Sequence, residues 1–325
     1  MAEKKIPILA VVGPTASGKT ALAVELALQY DGEVLSADSM QIYRGMQIAT
    51  AKSDCLEMKG VRHHMMDFLP PDTAYSVADY VRDARVCIRE MAGRGILPII
   101  AGGTGLYVDS LIRNIQYAQL PSDPDIRAGL ERRAQEEGVP ALLEELASAD
   151  PETAVRLHVN DRRRIIRALE VFQASGVTLT EHNRRSRLQE SPYRAFVIGL
   201  QTRDRAVLYD RINARVDRMM DQGLLDEARD FLEQKNSVTA VQAIGYKELT
   251  PYFSGLNTLE EAVEDIKRET RRYAKRQLSW FRRNPEIHWF YLDDYTSFDA
   301  LCSAVCTMIE KRCDFIGGQT QTEKE

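Results

Sequence analysis

The 325-residue chain contains no apolar run near the ~20 residues that a membrane-crossing helix needs. Its opening, MAEKKIPILA, lacks the long apolar stretch and small-residue cleavage site of a secretory signal. The sequence therefore argues against a membrane protein, and a cytoplasmic location is expected. Cysteine is scarce: Cys55, Cys87, Cys302, Cys306 and Cys313 form no CxxC pair, and an odd number suits reduced thiols rather than a disulfide framework. Histidine is scarcer. His63 and His64 are adjacent, so their side chains diverge, while His158, His182 and His288 stand alone, and none has the spacing of a metal site. No internal repeat is present, and composition is that of an ordinary soluble protein, 44% hydrophobic and 28% charged.

What is present begins with VVGPTASGKTALA, residues 11–23. The G-x-x-x-x-G-K-S/T spacing wraps backbone N–H groups around an anion at a helix N-terminus. Gly13, Pro14, Thr15, Ala16, Ser17 and Gly18 make the turn, Lys19 reaches the outer phosphate, and the Thr20 hydroxyl is placed to bind Mg²⁺. The flanks agree, since IPILAVVG reads as a buried strand and TALAVELALQY as an apolar-faced helix. The motif establishes phosphate binding without identifying the phosphate.

The first hundred residues alternate strand and helix: GEVLSAD, a helix near 76–92, ILPIIAGG, and a helix opening at TGLYVDSLI. This predicts an α/β fold, a P-loop core of parallel sheet flanked by helices. Ligands in such sheets bind beyond the carboxyl ends of the strands. That edge collects the P-loop, Asp38, Ser39, Gly102, Gly103 and Thr104. A P-loop hydrolase usually carries an acidic residue at the end of an apolar strand. Here LPIIAGGTG ends in glycines, which weighs against phosphate hydrolysis.

From about 118 to 193 the pattern is helical throughout, and RAFVIGLQ then resumes the core. The expected organisation is a catalytic core of residues 1–117 and 194–325 interrupted by an all-helical insertion of residues 118–193. Helices follow at 203–222, 225–235 and near 259–283, then HWFYLDD as a last strand with a helix beyond it. The polar end, GGQTQTEKE, has a disordered composition.

A net charge of −5 conceals strong local asymmetry. Residues 267–283 hold eight Lys/Arg against one Glu, and DRRRIIR (161–167) and NRRSR (183–187) are further basic clusters. Confined basic patches on an acidic protein suit a polyanionic partner at one surface, although any single cluster is equally a solvated helix face. Trp280, within the basic helix, either stacks on a base or anchors that helix to the core.

Six blocks taken together, GPTASGKTALA, ADSMQIYRGMQIATAK, AGGTGLYVDSLI, NDRRRIIRALEV, RINARVDRMM and AIGYKEL…TRRYAKRQLSWFR, resemble the tRNA dimethylallyltransferases, or isopentenyl transferases. The resemblance covers nearly the whole chain in order. Departures are confined to IATAKS, where similar proteins commonly read IGTAKP, and to Gln47, where they often have Asp.

The resemblance implies transfer of a dimethylallyl group from dimethylallyl diphosphate to N6 of adenosine 37 in tRNA, with Mg²⁺ as cofactor. It implies that Asp38 accepts the amine proton and that Thr15, Lys19 and Arg211 or Arg215 stabilise the leaving diphosphate. The flipped adenine would be read by Asp38, Ser39, Met40 and Gln41, with Gln41 as its amide partner. Thr104, Arg127, Arg163, Arg164, Ile165, Ile166 and Arg167 match positions that contact tRNA, making the insertion an anticodon stem-loop clamp. A monomer is expected. The alternatives are an adenylate isopentenyltransferase acting on free AMP, a P-loop small-molecule kinase, and a non-enzymatic RNA-binding protein switched by ATP.

Overall fold

A computed structural model of the chain describes residues 5–117, 123–234 and 240–312. Six parallel strands form one sheet: β1 (Ile6–Val12), β2 (Gly32–Ser36), β3 (His63–His64), β4 (Leu97–Gly102), β5 (Tyr193–Gln201) and β6 (His288–Tyr291). Their order is β3-β2-β4-β1-β5-β6, every neighbouring pair parallel. The α/β class read from the alternating pattern is the fold observed.

The order explains the site's location. The chain leaves β1 for β2 and β3, returns through β4 into the gap beside β1, and only later adds β5 on β1's other side. The carboxyl ends of β1, β2 and β4 thus open on one edge, the usual ligand edge of such a sheet. One sheet face packs against the helices Lys19–Gln29 and Phe298–Glu310, burying Leu9, Val11, Ile99 and Ile198 against Leu22, Leu26, Leu301 and Val305. Residues of the opposite parity, Ile8, Ala10, Val12 and Ile100, are fully buried too, so both faces are covered and the strands read as continuous apolar runs.

Two glycines are dictated by close approach. A Cβ on Gly13, which also has φ +147°, would lie 2.4 Å from the Leu200 carbonyl oxygen. A Cβ on Gly102 would lie 2.2 Å from the Ala37 carbonyl oxygen, so β4 ends flush against the end of β2.

The helices expected from periodicity are present at Lys19–Gln29, Val77–Gly93, Gly105–Ile112, Arg205–Asp221, Leu224–Leu232, Leu259–Phe281 and Phe298–Glu310. HWFYLDD divides into β6 and a short 3-10 turn, Leu292–Asp294. The two histidines form the edge strand β3, where His64 bonds to Glu33 at 2.6 Å, a structural role that two residues of pattern could not announce.

The chain divides into two compact units, Met1–Ile112 with Pro192–Glu325, and Arg113–Ser191. The second is helical: Pro124–Glu136, Val139–Ala149, Pro151–Val155, Arg162–Ser175 and Leu179–Ser186 enclose a core of Leu130, Leu142, Leu146, Ile165, Ile166 and Leu169. Its last helix, Leu179–Ser186, falls inside the stretch expected to be helical. It carries the 183–187 basic cluster, in which Arg184 and Arg185 both pair with Glu181. No helix among the described residues is long and apolar enough to cross a membrane. Cys55, Cys87, Cys302 and Cys306 are free thiols, while Cys313 and the polar terminus lie outside the described residues.

Candidate active site

The P-loop turn runs from the end of β1 into the helix Lys19–Gln29, with Gly18 as N-cap. Its internal bonds preshape it: the Ser17 hydroxyl donates to the Pro14 carbonyl at 2.8 Å, and Lys19 Nζ to the same oxygen at 2.6 Å. Burial, then the Arg215 charge, lower the Lys19 pKa to about 7 against the opposing pull of Asp38. Arg215 lies on the helix Arg205–Asp221, and burial holds its pKa below the ordinary value too, with Asp38 partly compensating. One turn earlier, Arg211 Nε donates to the Ala16 carbonyl at 2.9 Å, bracing the loop from outside.

Asp38 follows β2. Its Oδ1 accepts the backbone N–H of Met40 at 2.8 Å and of Gln41 at 3.4 Å, a turn closed by its own side chain. Among the described residues, none hydrogen-bonds to Oδ2. Across the strand ends, the Ser39 N–H donates to the Thr104 hydroxyl at 3.1 Å and the Thr104 N–H to the Ala37 carbonyl at 3.1 Å. Gln41 is more heavily committed than its expected base-reading role implies. Its Oε1 accepts from the Ser36 hydroxyl at 2.9 Å, and its Nε2 donates to the carbonyls of Thr50 (3.2 Å) and Ala51 (3.4 Å).

A cavity of about 290 Å³ joins these groups, lined by Thr15, Lys19, Thr20, Asp38, Ser39, Met40, Gln41 and Arg215. A neighbouring cavity of about 670 Å³ shares Lys19, Thr20 and Arg215 and adds Gly18, Lys52 and Arg218. The structure thus brings Asp38 and the phosphate loop to one hollow, with a basic arginine on the side facing the loop. Among the described residues no group of three or more His, Cys, Asp or Glu side chains forms a self-sufficient metal site.

Gln277 was missed by the sequence reading. From the basic helix Leu259–Phe281 its Oε1 accepts the Thr15 N–H at 2.8 Å and its Nε2 donates to the Gly103 carbonyl at 3.0 Å, tying the P-loop to the end of β4. It lies on the helix's buried stripe with Ala262, Ile266, Ala274 and Phe281, and a glutamine in an apolar stripe was the available signal. Trp280 is resolved in favour of anchoring, because its indole N–H donates to Asp109 at 2.6 Å and its ring fills the space beside Gly105. The same helix spends much of its charge internally: Lys267 on Asp217, Arg268 on Asp265, Arg271 on Asn213 and Arg272 on Glu269.

In the helical unit, the residues expected at tRNA separate into three kinds. Arg163 and Arg164 are exposed. Ile165 and Ile166 are 0% and 2% exposed, so the expectation that they face RNA is corrected: their side chains are the unit's core. Arg127 and Arg167 converge on the fully buried Glu170 at 2.7 and 3.0 Å. Burial alone would raise the Glu170 pKa, but the bonds and charges of these two arginines outweigh it and hold the carboxyl below its usual range.

A parallel sheet ending in a P-loop, a carboxylate in the same cavity and no acidic residue at the end of β4 define a P-loop protein whose anion-binding turn shares one hollow with Asp38. The sequence profile described as IPP transferase matches residues 41–284, and one described as Isopentenyl transferase matches residues 6–68. The chain belongs to the IPP transferase family. The tRNA dimethylallyltransferase of Thermoanaerobacter sp. (strain X514) is 44% identical over 314 residues, 95% of this chain and 99% of that one. That of Bacillus subtilis (strain 168) is 47% identical over 291 residues, 89% and 92% of the two chains. Among solved structures, the full-length tRNA isopentenylpyrophosphate transferase of Bacillus halodurans superposes with a TM-score of 0.72 at 43% identity, covering 96% of this chain and 98% of that one. A eukaryotic dimethylallyltransferase solved acting on tRNA gives a TM-score of 0.81 at 27% identity, covering 98% and 81%.

Proposed function

We propose that the protein transfers the dimethylallyl group of dimethylallyl diphosphate to N6 of adenosine 37 in the anticodon loop of a tRNA, releasing diphosphate. The observation that carries this reading is the shared cavity: Lys19, Thr20 and Arg215 line it together with Asp38. The allylic C–O bond breaks as charge builds on the diphosphate, where Lys19, Arg215 and the amides of the P-loop turn neutralise it. Thr15 lines the same wall, and Arg211 supports the loop from behind. The adenine amine is a weak nucleophile, so Asp38 orients it and takes its proton as the N–C bond forms. The Oδ1 bonds to Met40 and Gln41 fix the carboxylate for that task.

Mg²⁺ fits the donor set. Thr20 supplies one hydroxyl beside the loop, and a Mg²⁺ completed by diphosphate oxygens and water needs no all-protein cage. When bound, it would supply further charge stabilisation to the leaving group. Ser39 and Thr104 at the strand ends stand beside Asp38 for the flipped base, the exposed Arg163 and Arg164 of the helical unit offer charge to tRNA phosphates, and a single chain carries every group named. The working form is accordingly a monomer, and the compartment is the cytoplasm.

The experiment is incubation of labelled dimethylallyl diphosphate with tRNA and, separately, with AMP and ATP. Label in tRNA, with one diphosphate released per transfer, is the expected result. Label in AMP, or stoichiometric consumption of ATP, would replace this reading with the nucleotide prenyltransferase or the kinase.

A further inference from the structure

Residues 49–51 and 242–245 line the active-site cavity, and one carboxylate bonds the backbone of residues 47–49 at the start of the first segment and the Tyr246 hydroxyl just after the second. Glu227 stands in the first turn of the helix Leu224–Leu232. Its Oε2 accepts the backbone N–H of Gln47 at 2.8 Å and of Ile48 at 2.7 Å. Its Oε1 accepts the N–H of Ala49 at 2.9 Å and the hydroxyl of the fully buried Tyr246 at 2.8 Å. The three amides open a helix-like turn that closes when Ala51 N–H donates to the Ile48 carbonyl (2.9 Å) and Lys52 N–H to the Gln47 carbonyl (3.1 Å). Such first-turn amides have no partner of their own and attract a negative charge. With both oxygens engaged in four bonds, Glu227 is occupied in holding this turn.

The turn in its place holds Gln41. The carbonyls of Thr50 and Ala51 can only accept, so the nitrogen end of the Gln41 amide must face them. Both of its N–H groups are thereby used, and Gln41 retains only the second lone pair of Oε1, whose first is taken by the Ser36 hydroxyl. As the amide partner of adenine, Gln41 can therefore act in this arrangement only as an acceptor. Gln41 and the Asp38 carboxylate are both acceptors on the cavity wall. Two acceptors suit a base that presents an exocyclic N–H₂ and repel one that presents a carbonyl oxygen at the same position.

We propose that Glu227 is a positioning residue for base selection: by capping residues 47–49 it fixes the carbonyls of Thr50 and Ala51, and through them the oxygen-forward orientation of Gln41. This rests on the transfer to an exocyclic amine proposed above. A carboxamide at 227 sets an N–H₂ group against backbone donors, so Glu227→Gln releases the turn while nearly preserving volume.

The test compares wild type with Glu227→Gln, Gln41→Ala and the double variant. The substrates are anticodon stem-loops bearing adenosine 37, and the competitors are identical stem-loops bearing inosine there. Glu227→Gln is expected to speed hydrogen exchange across residues 47–51 and to lower kcat about ten- to a hundredfold. It is also expected to narrow the adenosine-over-inosine preference in binding, with affinity for inorganic pyrophosphate within about twofold. The double variant is expected to lose no more than Gln41→Ala alone, since both act through one amide. Losses that multiply, an unchanged base preference, or an equal weakening of pyrophosphate binding would overturn the proposal. Tyr246→Phe, which removes one of the four bonds and keeps the ring, provides a milder variant expected to shift the same quantities in the same direction. Absence of prenyl transfer by wild type would count against the function, whereas exchange rates and stem-loop binding report on Glu227 independently.

Discussion

At the residue scale, Asp38 meets two conditions of a base catalyst: one carboxylate oxygen is fixed by backbone amides, and the residue lines the cavity that Lys19 also lines. Asp38→Ala should lower single-turnover transfer by about 10²–10⁴ while leaving tRNA affinity within a few-fold. Rates near wild type would remove Asp38 from the chemistry. Lys19 yields a pH prediction. Its pKa of about 7 means that the ligand-free side chain is charged below that pH and largely neutral above it. A bound diphosphate favours the charged form, so binding at pH 8 should take up a proton, and binding at pH 6 should not. Calorimetry of pyrophosphate binding in two buffers of different ionisation enthalpy measures this, and equal proton uptake at both pH values would refute it. Lys19 and Asp38 were legible because motif spacing and strand ends are local features. Glu227 was not, since its three amide partners lie about 180 positions away and nothing in LLDEARDFL separates it from neighbouring surface acids.

At the element scale, the helix Leu259–Phe281 shows how a charge run can mislead. Eight basic residues over 267–283 suggested an RNA grip, yet Lys267, Arg268, Arg271 and Arg272 are engaged within the protein, and the buried stripe fixes the helix in place. Its distinctive contribution is Gln277. Gln277→Leu would strand the Thr15 N–H and the Gly103 carbonyl, and it should cost about 1–3 kcal/mol of stability, read as a lower denaturation midpoint at unchanged m. Gln277→Glu keeps the acceptor for Thr15 but sets a buried carboxylate oxygen against the Gly103 carbonyl, so its loss should be at least as large. Equal stability of the leucine variant and wild type would show that water replaces the amide. Periodicity located this helix within two residues at either end, because its apolar stripe is a local signal. The identity of what the stripe packs against is not encoded locally.

At the scale of the whole molecule, each of the two units has a core of its own. The helical unit has its own core, so Ile165 and Ile166 are explained by packing, and only exposed charge remains for RNA. Arg163→Ala should therefore reduce the slope of log affinity against log salt by roughly 0.7–0.9 without altering thermal stability. Arg167→Ala should do the reverse, changing the slope less and lowering the melting temperature, because it removes one of the two arginines that pair with the buried Glu170. Identical behaviour of the two variants would refute the division. The close approach at the end of β4 reaches further. A side chain at position 102 would have to begin 2.2 Å from the Ala37 oxygen, inside the backbone that delivers Asp38. An acidic residue there, as nucleotide hydrolases use, cannot be gained without moving the strand that leads to Asp38. Phosphate hydrolysis by that route is thus not one substitution away from this sequence, because the first atom of the new side chain already has no room.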